Sequence, residues 1–483
     1  MSVGRTIISS LVALSLASCG GGGNGGGQAT AVAPTPTPAP APAPAPSPTP
    51  APTSTCSLAA RQQFALDVLN EWYLFPDLLA TNVNPASFTT VQDYLDALVA
   101  PARAQSKDRF FTYITSIREE NELINSGSSA GFGVRLGYDT SANRVFVLEA
   151  FENAPAFPAG IDRGTELLSI NGTSVSSLMA SGGPQAVINF LGPSDPGITR
   201  TLRFRDAGGV ERSATITKTD FALDPISDRY GVRTFNNNGT QVGYINLRTF
   251  IVRDAEAQLR AAFQQFRTAG ITQIILDLRY NGGGLVSVAE VLGDLMLRDQ
   301  VGEIYSRTVL RPSKASENTT EIIAAQPQSV QATRLAVIGR GGTASASELV
   351  TNSMIPYLGA NMALVGANTF GKPVGQFAFD RSACDDRLRA VTFKTVNRNG
   401  NGEYFTGLAS VVPNTCAADD GFLTPLGDAR EDSIAAALTF LRGGSCTPIT
   451  QSQSRGVQSV DKRQILLQPD RPNAAQVNIP GLF

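Results

Sequence analysis

LAVIGRGGTASASELV, residues 335–350, joins a strand, a tight turn and the start of a helix in one short stretch. The apolar run 335–339 predicts a buried strand, and the small residues after it predict a turn that opens a helix. This geometry can present a serine hydroxyl at a helix N-terminus. Ser345 and Ser347 are therefore candidate nucleophiles, although either could instead cap the helix together with Glu348.

The same order of elements recurs on both sides of this stretch, because apolar strands and amphipathic helices alternate over residues 236–445. The predicted strands are 241–247, 271–279, 335–339 and 362–366, and the predicted helices are 254–270, 285–296 and 344–355. Such alternation is typical of layered α/β domains. We therefore expect an α/β domain over residues 223–446.

The regions on either side of this α/β domain have different patterns. Residues 56–126 carry apolar residues at helical spacing and predict a helical N-terminal region. Residues 127–222 contain segments that alternate with period two, which predicts a β-rich domain. Residues 447–483 are polar and irregular, so we expect a loosely held polar tail.

The β-rich region resembles a PDZ domain in the order of its elements. A strand at 144–151 is followed by an Ala/Pro/Gly segment, a turn at Gly164 and a second strand that ends in Asn171-Gly172. GFGV, at 131–134, resembles the carboxylate-binding loop of that domain, because glycines let consecutive backbone N–H groups converge on an anion. The residues expected to bind a substrate C-terminus are Gly131, Phe132, Gly133 and Val134. A plain turn is the alternative for this loop.

The composition limits which base could activate a serine. None of the 483 residues is histidine, which removes the commonest general base and the commonest metal ligand. We expect no metal site and no cofactor. The formal net charge of −2 gives no basic surface of the kind that binds phosphate backbones, so we expect no nucleic-acid partner.

Lys372 is the candidate base. A lysine accepts a proton only when it is neutral, so its pKa has to fall from ~10.4 towards the working pH. Lys372 lies between Gly371 and Pro373 near apolar strands, which is compatible with the burial that lowers a lysine pKa. A surface lysine in a turn is the alternative.

Three segments that follow predicted strands are expected to meet, because α/β folds gather their sites at the carboxyl ends of strands. The segments are 277–284, 343–348 and 368–376. The glycines at 282–284 have two possible uses. They can form a tight turn, or they can offer backbone N–H groups to an oxyanion.

Together these segments resemble the C-terminal processing peptidases, also called tail-specific proteases, which are Ser/Lys peptidases with an embedded PDZ domain. The resemblance covers about residues 60–445. It implies an α/β peptidase core of the crotonase-like (ClpP-like) fold, with an inserted β-rich PDZ domain and a helical N-terminal region. It also implies a serine endopeptidase that recognises protein or peptide substrates by their C-termini and works through an acyl-enzyme. The implied site residues are the nucleophile Ser345, the base Lys372, Gln376 to orient the lysine, Glu348, and the oxyanion donors Ala346 and Gly283.

Two departures from the family pattern indicate a subfamily with its own specificity. The spacing between nucleophile and base, which includes Pro356, is slightly longer than usual, and Pro373 stands where many members have glycine. The alternative function is a non-catalytic peptide- or ligand-binding envelope lipoprotein on the same fold. A G-x-S-x-G match at 127–131 has no histidine partner, and an S-x-x-K match at 459–462 lacks the companion motifs of penicillin-binding enzymes.

The first nineteen residues resemble a lipoprotein signal peptide. Arg5 precedes a short apolar stretch, and residues 16–19 resemble the bacterial lipobox, which implies lipidation of Cys19. An ordinary cleaved signal is the alternative. A Gly/Pro-rich linker follows at 20–55. We therefore expect a lipid-anchored protein of the cell envelope that faces the periplasm, and Gly20 favours the outer membrane.

Four further cysteines, in an exported chain, predict two disulfide bonds. Three pairings are possible. We favour Cys384–Cys416, which would clamp a strand pair, and Cys56–Cys446, which would tie together the two ends of the folded body. Free buried thiols are the alternative.

Overall fold

The structure is a computed structural model that describes residues 55–450 and 465–483. The predicted signal peptide with Cys19, nearly all of the linker 20–55 and the match at 459–462 lie outside the described residues. Among the described residues, none of the helices is long and apolar enough to cross a membrane.

The N-terminal region is helical, as its apolar spacing predicts. Its elements are α1 (Leu58–Trp72), α2 (Val91–Leu98), α3 (Ala100–Ala104), β1 (Tyr113–Ser116) and α4 (Ile117–Ser126). The Ser57 hydroxyl accepts the N–H of Ala60 at the start of α1, and the Thr90 hydroxyl accepts the N–H of Asp93 at the start of α2. These caps satisfy amide groups that a helix start leaves without partners.

An inserted region, residues 128–222, consists of strands and one helix. Its elements are β2 (Ser128–Gly131), β3 (Val134–Asp139), β4 (Arg144–Ala150), β5 (Glu166–Ile170), β6 (Thr173–Ser174), α5 (Val175–Leu191), β7 (Thr199–Arg205), β8 (Glu211–Thr217) and β9 (Thr219–Ala222). The sequence pattern predicts a β-rich domain here and does not locate the helix. Helix α5 does not show a regular helical spacing of apolar residues, because Gly183, at a kink, and Pro184 interrupt it.

Strands and helices alternate through the rest of the chain up to residue 441. The strands are β10 (Val232–Asn237), β11 (Thr240–Asn246), β12 (Gln273–Asp277), β13 (Ile304–Leu310), β14 (Thr319–Ile322), β15 (Arg334–Gly339), β16 (Met362–Gly366), β17 (Val374–Arg381), β18 (Asp386–Asn397) and β19 (Thr415–Ala417). The helices are α6 (Ala255–Thr268), α7 (Val286–Met296), α8 (Ala346–Leu358) and α9 (Asp432–Leu441). The expected mixed α/β structure is therefore present.

The central sheet has the strand order β10–β11–β12–β15–β16–β19. β10 pairs antiparallel with β11, and every other pair in this sheet is parallel. Helices α6, α7 and α8 bury their apolar faces on one side of the sheet, and α9 does so on the other. The carboxyl ends of the parallel strands share one edge, so the turns after β12, β15 and β16 meet there.

A second sheet lies under the segment that carries Lys372. In it, β18 pairs with β1, β13 and β17, and β14 extends it beyond β13. Helices α1 and α2 pack against this sheet, where Leu69 and Leu95 share an apolar cluster with Val374 and Leu388. The N-terminal helices therefore brace the strand that follows Lys372.

Residues 465–483 are held against the inserted region, so the expectation of a loosely held tail is wrong for this segment. β20 (Ile465–Leu466) pairs with β3 at the edge of the inserted sheet, and α10 (Ala474–Asn478) follows it. Leu482 and Phe483 are each 2% exposed. This segment contains apolar residues without a helical or strand period, and it draws its order from the surface that it covers.

The disulfide pairing that we favoured from the sequence is wrong. Cys56 bonds to Cys384, and Cys416 bonds to Cys446, with Cα atoms 5.4 Å and 4.8 Å apart. The start of α1 lies beside the turn between β17 and β18, and β19 lies beside the chain that leaves α9, where the Ala417 N–H donates to Thr447. The pairing follows from which elements are neighbours, and a count of cysteines cannot show that.

Candidate active site

Three turns meet at the carboxyl ends of neighbouring parallel strands. They are the glycine turn (280–284) after β12, the serine turn (343–347) after β15 and the lysine loop (368–373) after β16. The Phe370 N–H donates to the Thr343 carbonyl at 2.9 Å, and the Ala344 N–H donates to the Asn281 carbonyl at 3.1 Å. The segments that the sequence predicts to meet are thus joined by main-chain hydrogen bonds.

Ser345 has a backbone conformation that residues other than glycine rarely adopt. Its φ is +56°, at the position immediately before α8. A strained residue of this kind costs about 1–3 kcal/mol and persists only when its surroundings fix it. Here the Ser345 N–H donates to the Glu348 carboxylate at 3.1 Å, and Ala344 is held by Asn281.

The Glu348 carboxylate joins the serine turn to the lysine loop. Besides Ser345, its donors are the Lys372 N–H at 2.7 Å, the Gly371 N–H at 2.7 Å and the Thr369 hydroxyl at 2.6 Å. Glu348 is fully buried, and burial raises its pKa while these hydrogen bonds act to lower it. One carboxylate therefore positions the backbones of the predicted nucleophile and the predicted base.

Lys372 is only 8% exposed, and burial lowers its pKa to about 8. The charges of Asp108 and Glu348 act to raise this pKa, and Arg389 acts to lower it further. Its Nζ lies 5.1 Å from the centre of the Phe111 ring. The lysines that form ion pairs within the described residues are Lys107, Lys314 and Lys394. Lys372 is thus a buried amine whose pKa lies well below that of an exposed lysine.

Gln376 lies in β17, four residues beyond Lys372. Its amide Nε2 donates to the Phe111 carbonyl at 2.9 Å. The side chain therefore fixes the segment whose ring faces the Lys372 amine. The role of Gln376 in orienting the lysine stays a prediction.

Ser347 is the second serine of the turn, and its hydroxyl has a structural partner. Ser347 is fully buried, and its Oγ donates to the Asn281 carbonyl at 3.0 Å. This bond fastens the start of α8 to the glycine turn. Ser347 therefore has a structural role, and the assignment of Ser345 as the nucleophile stays a prediction.

The glycine turn lies directly against Ser345. A Cβ at Gly283, which has φ of +106°, would stand 2.7 Å from the Ser345 Cβ and 3.0 Å from the Ala346 nitrogen. Only glycine fits there. The Gly283 N–H donates to the Asn281 side chain at 2.9 Å, so this predicted oxyanion donor already has an acceptor. The neighbouring Gly282 N–H donates to the Asn478 carbonyl at 3.0 Å.

The predicted carboxylate-binding loop lies in the inserted region, apart from these three turns. The N–H groups of Gly133 and Val134 both donate to the main-chain oxygen of Phe483, at 2.8 Å and 3.1 Å. Gly131 ends β2, and Phe132 is buried in the apolar core of the inserted region. The N–H groups of this loop thus converge on one oxygen.

Sequence analysis missed four residues that shape this site. Asn281 accepts from the serine turn, and Thr369 donates to Glu348. Arg109 donates to the carbonyls of Phe370 and Gly371 at 2.6 Å each, and Asp108 acts on the pKa of Lys372. Asn281 and Thr369 lie inside the segments 277–284 and 368–376 that were predicted to meet, whereas no sequence pattern marked Asp108 and Arg109.

A buried ionic network attaches the glycine turn to its surroundings. Its charged members are Arg163, Arg279, Asp277, Asp420 and Glu431. Arg279, fully buried just before the turn, donates to Asp277 at 3.0 Å and to Glu431 at 2.7 Å and 2.8 Å. The Tyr280 hydroxyl donates to Asp420, which also accepts from Arg163 of the inserted region at 2.8 Å.

Two family models match the chain. One is described as peptidase family S41 and matches residues 241–410, which contain all three turns. The other is described as the peptidase S41 N-terminal domain and matches residues 60–113.

Curated relatives and a solved structure agree with these matches. A carboxyl-terminal-processing protease of Picosynechococcus sp. is 28% identical over 259 residues, which are 54% of this chain and 58% of that protein. The chloroplastic carboxyl-terminal-processing peptidase 3 of Arabidopsis thaliana is 27% identical over 270 residues, which are 55% of this chain and 50% of that protein. The chain thus spans about half the length of the curated relatives that it matches. A candidate S41 protease of Bacteroides fragilis has the same fold, with a TM-score of 0.60 and 22% identity over 79% of this chain and 97% of that one.

Proposed function

The chain belongs to peptidase family S41, the C-terminal processing peptidases, and on that premise we propose that it is a serine endopeptidase with Ser345 as nucleophile and Lys372 as general base. One observation carries this proposal. The Glu348 carboxylate binds the main chains of both residues, while burial brings the pKa of Lys372 to about 8. A base that titrates near the working pH is what an enzyme without histidine requires.

The reaction needs Lys372 to accept a proton and give it away twice, once in each half of the reaction. Neutral Lys372 takes the proton of the Ser345 hydroxyl as the oxygen attacks the scissile carbonyl carbon. The ammonium then gives that proton to the leaving amine, which leaves an acyl-enzyme on Ser345. Lys372 next takes a proton from a water molecule as the water oxygen attacks the acyl carbonyl carbon. The bond from that carbon to the Ser345 oxygen then breaks, the carboxylate product leaves, and the Lys372 ammonium gives its proton to the Ser345 oxygen.

The oxyanion of each tetrahedral intermediate requires donors beside Ser345. The Ala346 N–H, at the first residue of α8, stands at the positive end of the helix dipole. Gly283 is the second proposed donor, because its backbone lies against Ser345. For Gly283 to act as an oxyanion donor, its N–H has to leave the Asn281 side-chain oxygen and donate to the oxyanion instead.

Substrate recognition is proposed to use the inserted region as a PDZ domain. The sheet edge at β3 and the converging N–H groups of Gly133 and Val134 support this role. A substrate would add its last residues as a strand along β3 and place its C-terminal carboxylate in the loop. Attachment to the cell envelope through a lipidated Cys19 belongs to the same proposal and rests on the sequence alone.

Substitution of Ser345 tests the proposed activity. The protein is incubated with an unfolded protein substrate, and the products are identified by mass spectrometry. We expect cleavage by the wild type and none by Ser345→Ala, with unchanged circular dichroism. Cleavage by Ser345→Ala would contradict the assignment of the nucleophile. If the wild type cleaves no substrate, even when the substrate C-terminus is varied, the alternative function of a non-catalytic binding protein would be favoured.

The rate is expected to depend on pH through Lys372. Only the neutral amine accepts a proton, and burial lowers its pKa to about 8. Below that pH, kcat/KM should rise about tenfold per pH unit, and above it the rate should level off. A peptide substrate without ionisable groups near the cut isolates this titration. A flat profile between about pH 6 and pH 8 would show that Lys372 is not the base.

Replacing Glu348 by glutamine is expected to lower kcat by about 10- to 100-fold and to leave KM nearly unchanged. Ser345 N–H and Lys372 N–H donate to the same oxygen, Oε2, whereas the Thr369 hydroxyl and the Gly371 N–H donate to Oε1. A glutamine amide nitrogen cannot accept, so one of these two pairs of donors loses its partner. Glu403→Gln is the matched control, because that carboxylate is 60% exposed and pairs with Lys394. Equal effects of the two substitutions on kcat would contradict a positioning role for Glu348.

A further inference from the structure

Residues 481–483 add to the inserted sheet as a substrate strand is proposed to do. The Phe483 N–H donates to the Val134 carbonyl at 2.9 Å, and its main-chain oxygen accepts from Gly133 and Val134. The Leu136 N–H donates to the Gly481 carbonyl at 2.8 Å, and Arg135 and Leu482 form an antiparallel bridge. The edge of β3 is therefore already paired.

The Phe483 side chain fills an apolar pocket of the inserted region. It is 2% exposed and belongs to the same cluster as Phe132, Leu136 and Val187. A Cβ at Gly131 would stand only 2.8 Å from the Phe483 carbonyl carbon. The loop thus has the space and the N–H groups for the main chain of one residue with a large apolar side chain.

The same segment reaches the turns around Ser345. The Gly282 N–H donates to the Asn478 carbonyl, and a Cβ at Gly282 would stand 2.6 Å from the Val477 oxygen. Immediately before the serine turn, a Cβ at Gly342 would stand 2.5 Å from the Leu466 side chain. Residues 465–483 therefore contact both the peptide edge and the glycine turn.

We propose that residues 465–483 are a resident ligand of the peptide edge along β3, which a substrate has to displace and whose Phe483 shows what the pocket prefers. The proposal rests on the proposed function, since it takes β3 and the loop 131–134 as the substrate site. The substrate class is protein chains that end in a large apolar residue after small or apolar ones. A ligand on the same chain competes at high effective concentration, so foreign C-termini bind weakly until it is released.

The test measures binding without catalysis. A fluorescent peptide, Asn-Ile-Pro-Gly-Leu-Phe with a free carboxylate, is titrated into the full chain carrying Ser345→Ala, and its anisotropy is followed. We expect Phe483→Asp, added to that chain, to tighten peptide binding at least tenfold, because an aspartate is unfavourable in the apolar pocket. Val301→Asp places the same charge at an exposed apolar residue and should change nothing. The C-terminal amide of the peptide should bind at least tenfold more weakly.

Equal affinity of the parent chain and the Phe483→Asp chain would overturn the proposal. Phe483→Ala keeps the main-chain hydrogen bonds and should give an affinity between those of the other two chains. It replaces Phe483→Asp as the test variant if the Phe483→Asp chain does not fold. A cleavage assay with Ser345 restored separates the two proposals. Tighter peptide binding without any cleavage supports the resident ligand and contradicts the peptidase. Cleavage by the wild type with unchanged peptide binding supports the peptidase and contradicts the resident ligand.

Discussion

Replacing Lys372 by methionine is expected to abolish cleavage and, at the same time, to raise the free energy of unfolding. Methionine has nearly the same length but no basic nitrogen, so kcat/KM should fall by about 10³-fold or more. Burial lowers the lysine pKa from 10.5 to about 8. A difference of that size between the unfolded and folded states corresponds to about 3 kcal/mol of stability near pH 7. The measurement is urea unfolding beside a cleavage assay.

The gain in stability should depend on pH with a definite sign. The unfolded chain binds the Lys372 proton more tightly than the folded chain, so the cost of burial is fully present below pH 8, the folded pKa. It disappears as the pH rises towards 10.5, the unfolded value. The advantage of Lys372→Met should therefore shrink between about pH 8 and pH 10. Lys372→Arg keeps the charge and should lose activity without any gain. If Lys372→Met were less stable than the wild type at pH 7, the claim that burying the Lys372 charge destabilises the fold would be contradicted.

The strands, helices and turns around Ser345 could be predicted because their signals are local. Apolar runs ending in small residues mark where β12, β15 and β16 stop, and parallel strands bring those ends together. Gly283, Glu348 and Lys372 each lie in the segment that directly follows such an end. Because the chain has no histidine, a lysine became the candidate general base, and Lys372 is the lysine in these segments.

Contacts between distant segments could not be predicted in this way. Asp108 and Arg109 act on the lysine loop from the N-terminal region, more than 250 residues away along the chain (Arg109 to Phe370 is 261). Phe483 fills a pocket of the inserted region, although its segment is short and has no periodic pattern. Both disulfide bonds likewise depend on the packing of elements. Each of these features is a property of the assembled fold.

Replacing Arg279 by methionine is expected to lower the free energy of unfolding by about 3–5 kcal/mol at pH 7. Arg279 is fully buried and is hydrogen-bonded to Asp277 and Glu431, which are fully buried as well. Without the guanidinium, these carboxylates lose a buried cation while the cost of their own desolvation remains. Urea unfolding followed by circular dichroism measures the loss.

Two comparisons test whether the buried carboxylates cause that loss of stability: unfolding at different pH values, and the same substitution in an exposed ion pair. Protonation relieves unpaired buried carboxylates, so the deficit of Arg279→Met should shrink as the pH falls towards about 5. Arg430→Met is the matched control, because Arg430 pairs with Asp428 while 84% exposed, and its replacement should hardly change the free energy of unfolding. Similar losses for the two variants would mean that the buried network does not hold the glycine turn. A large loss for Arg279→Met alone would mean that the same ion pairs fix both the fold and the turn beside Ser345.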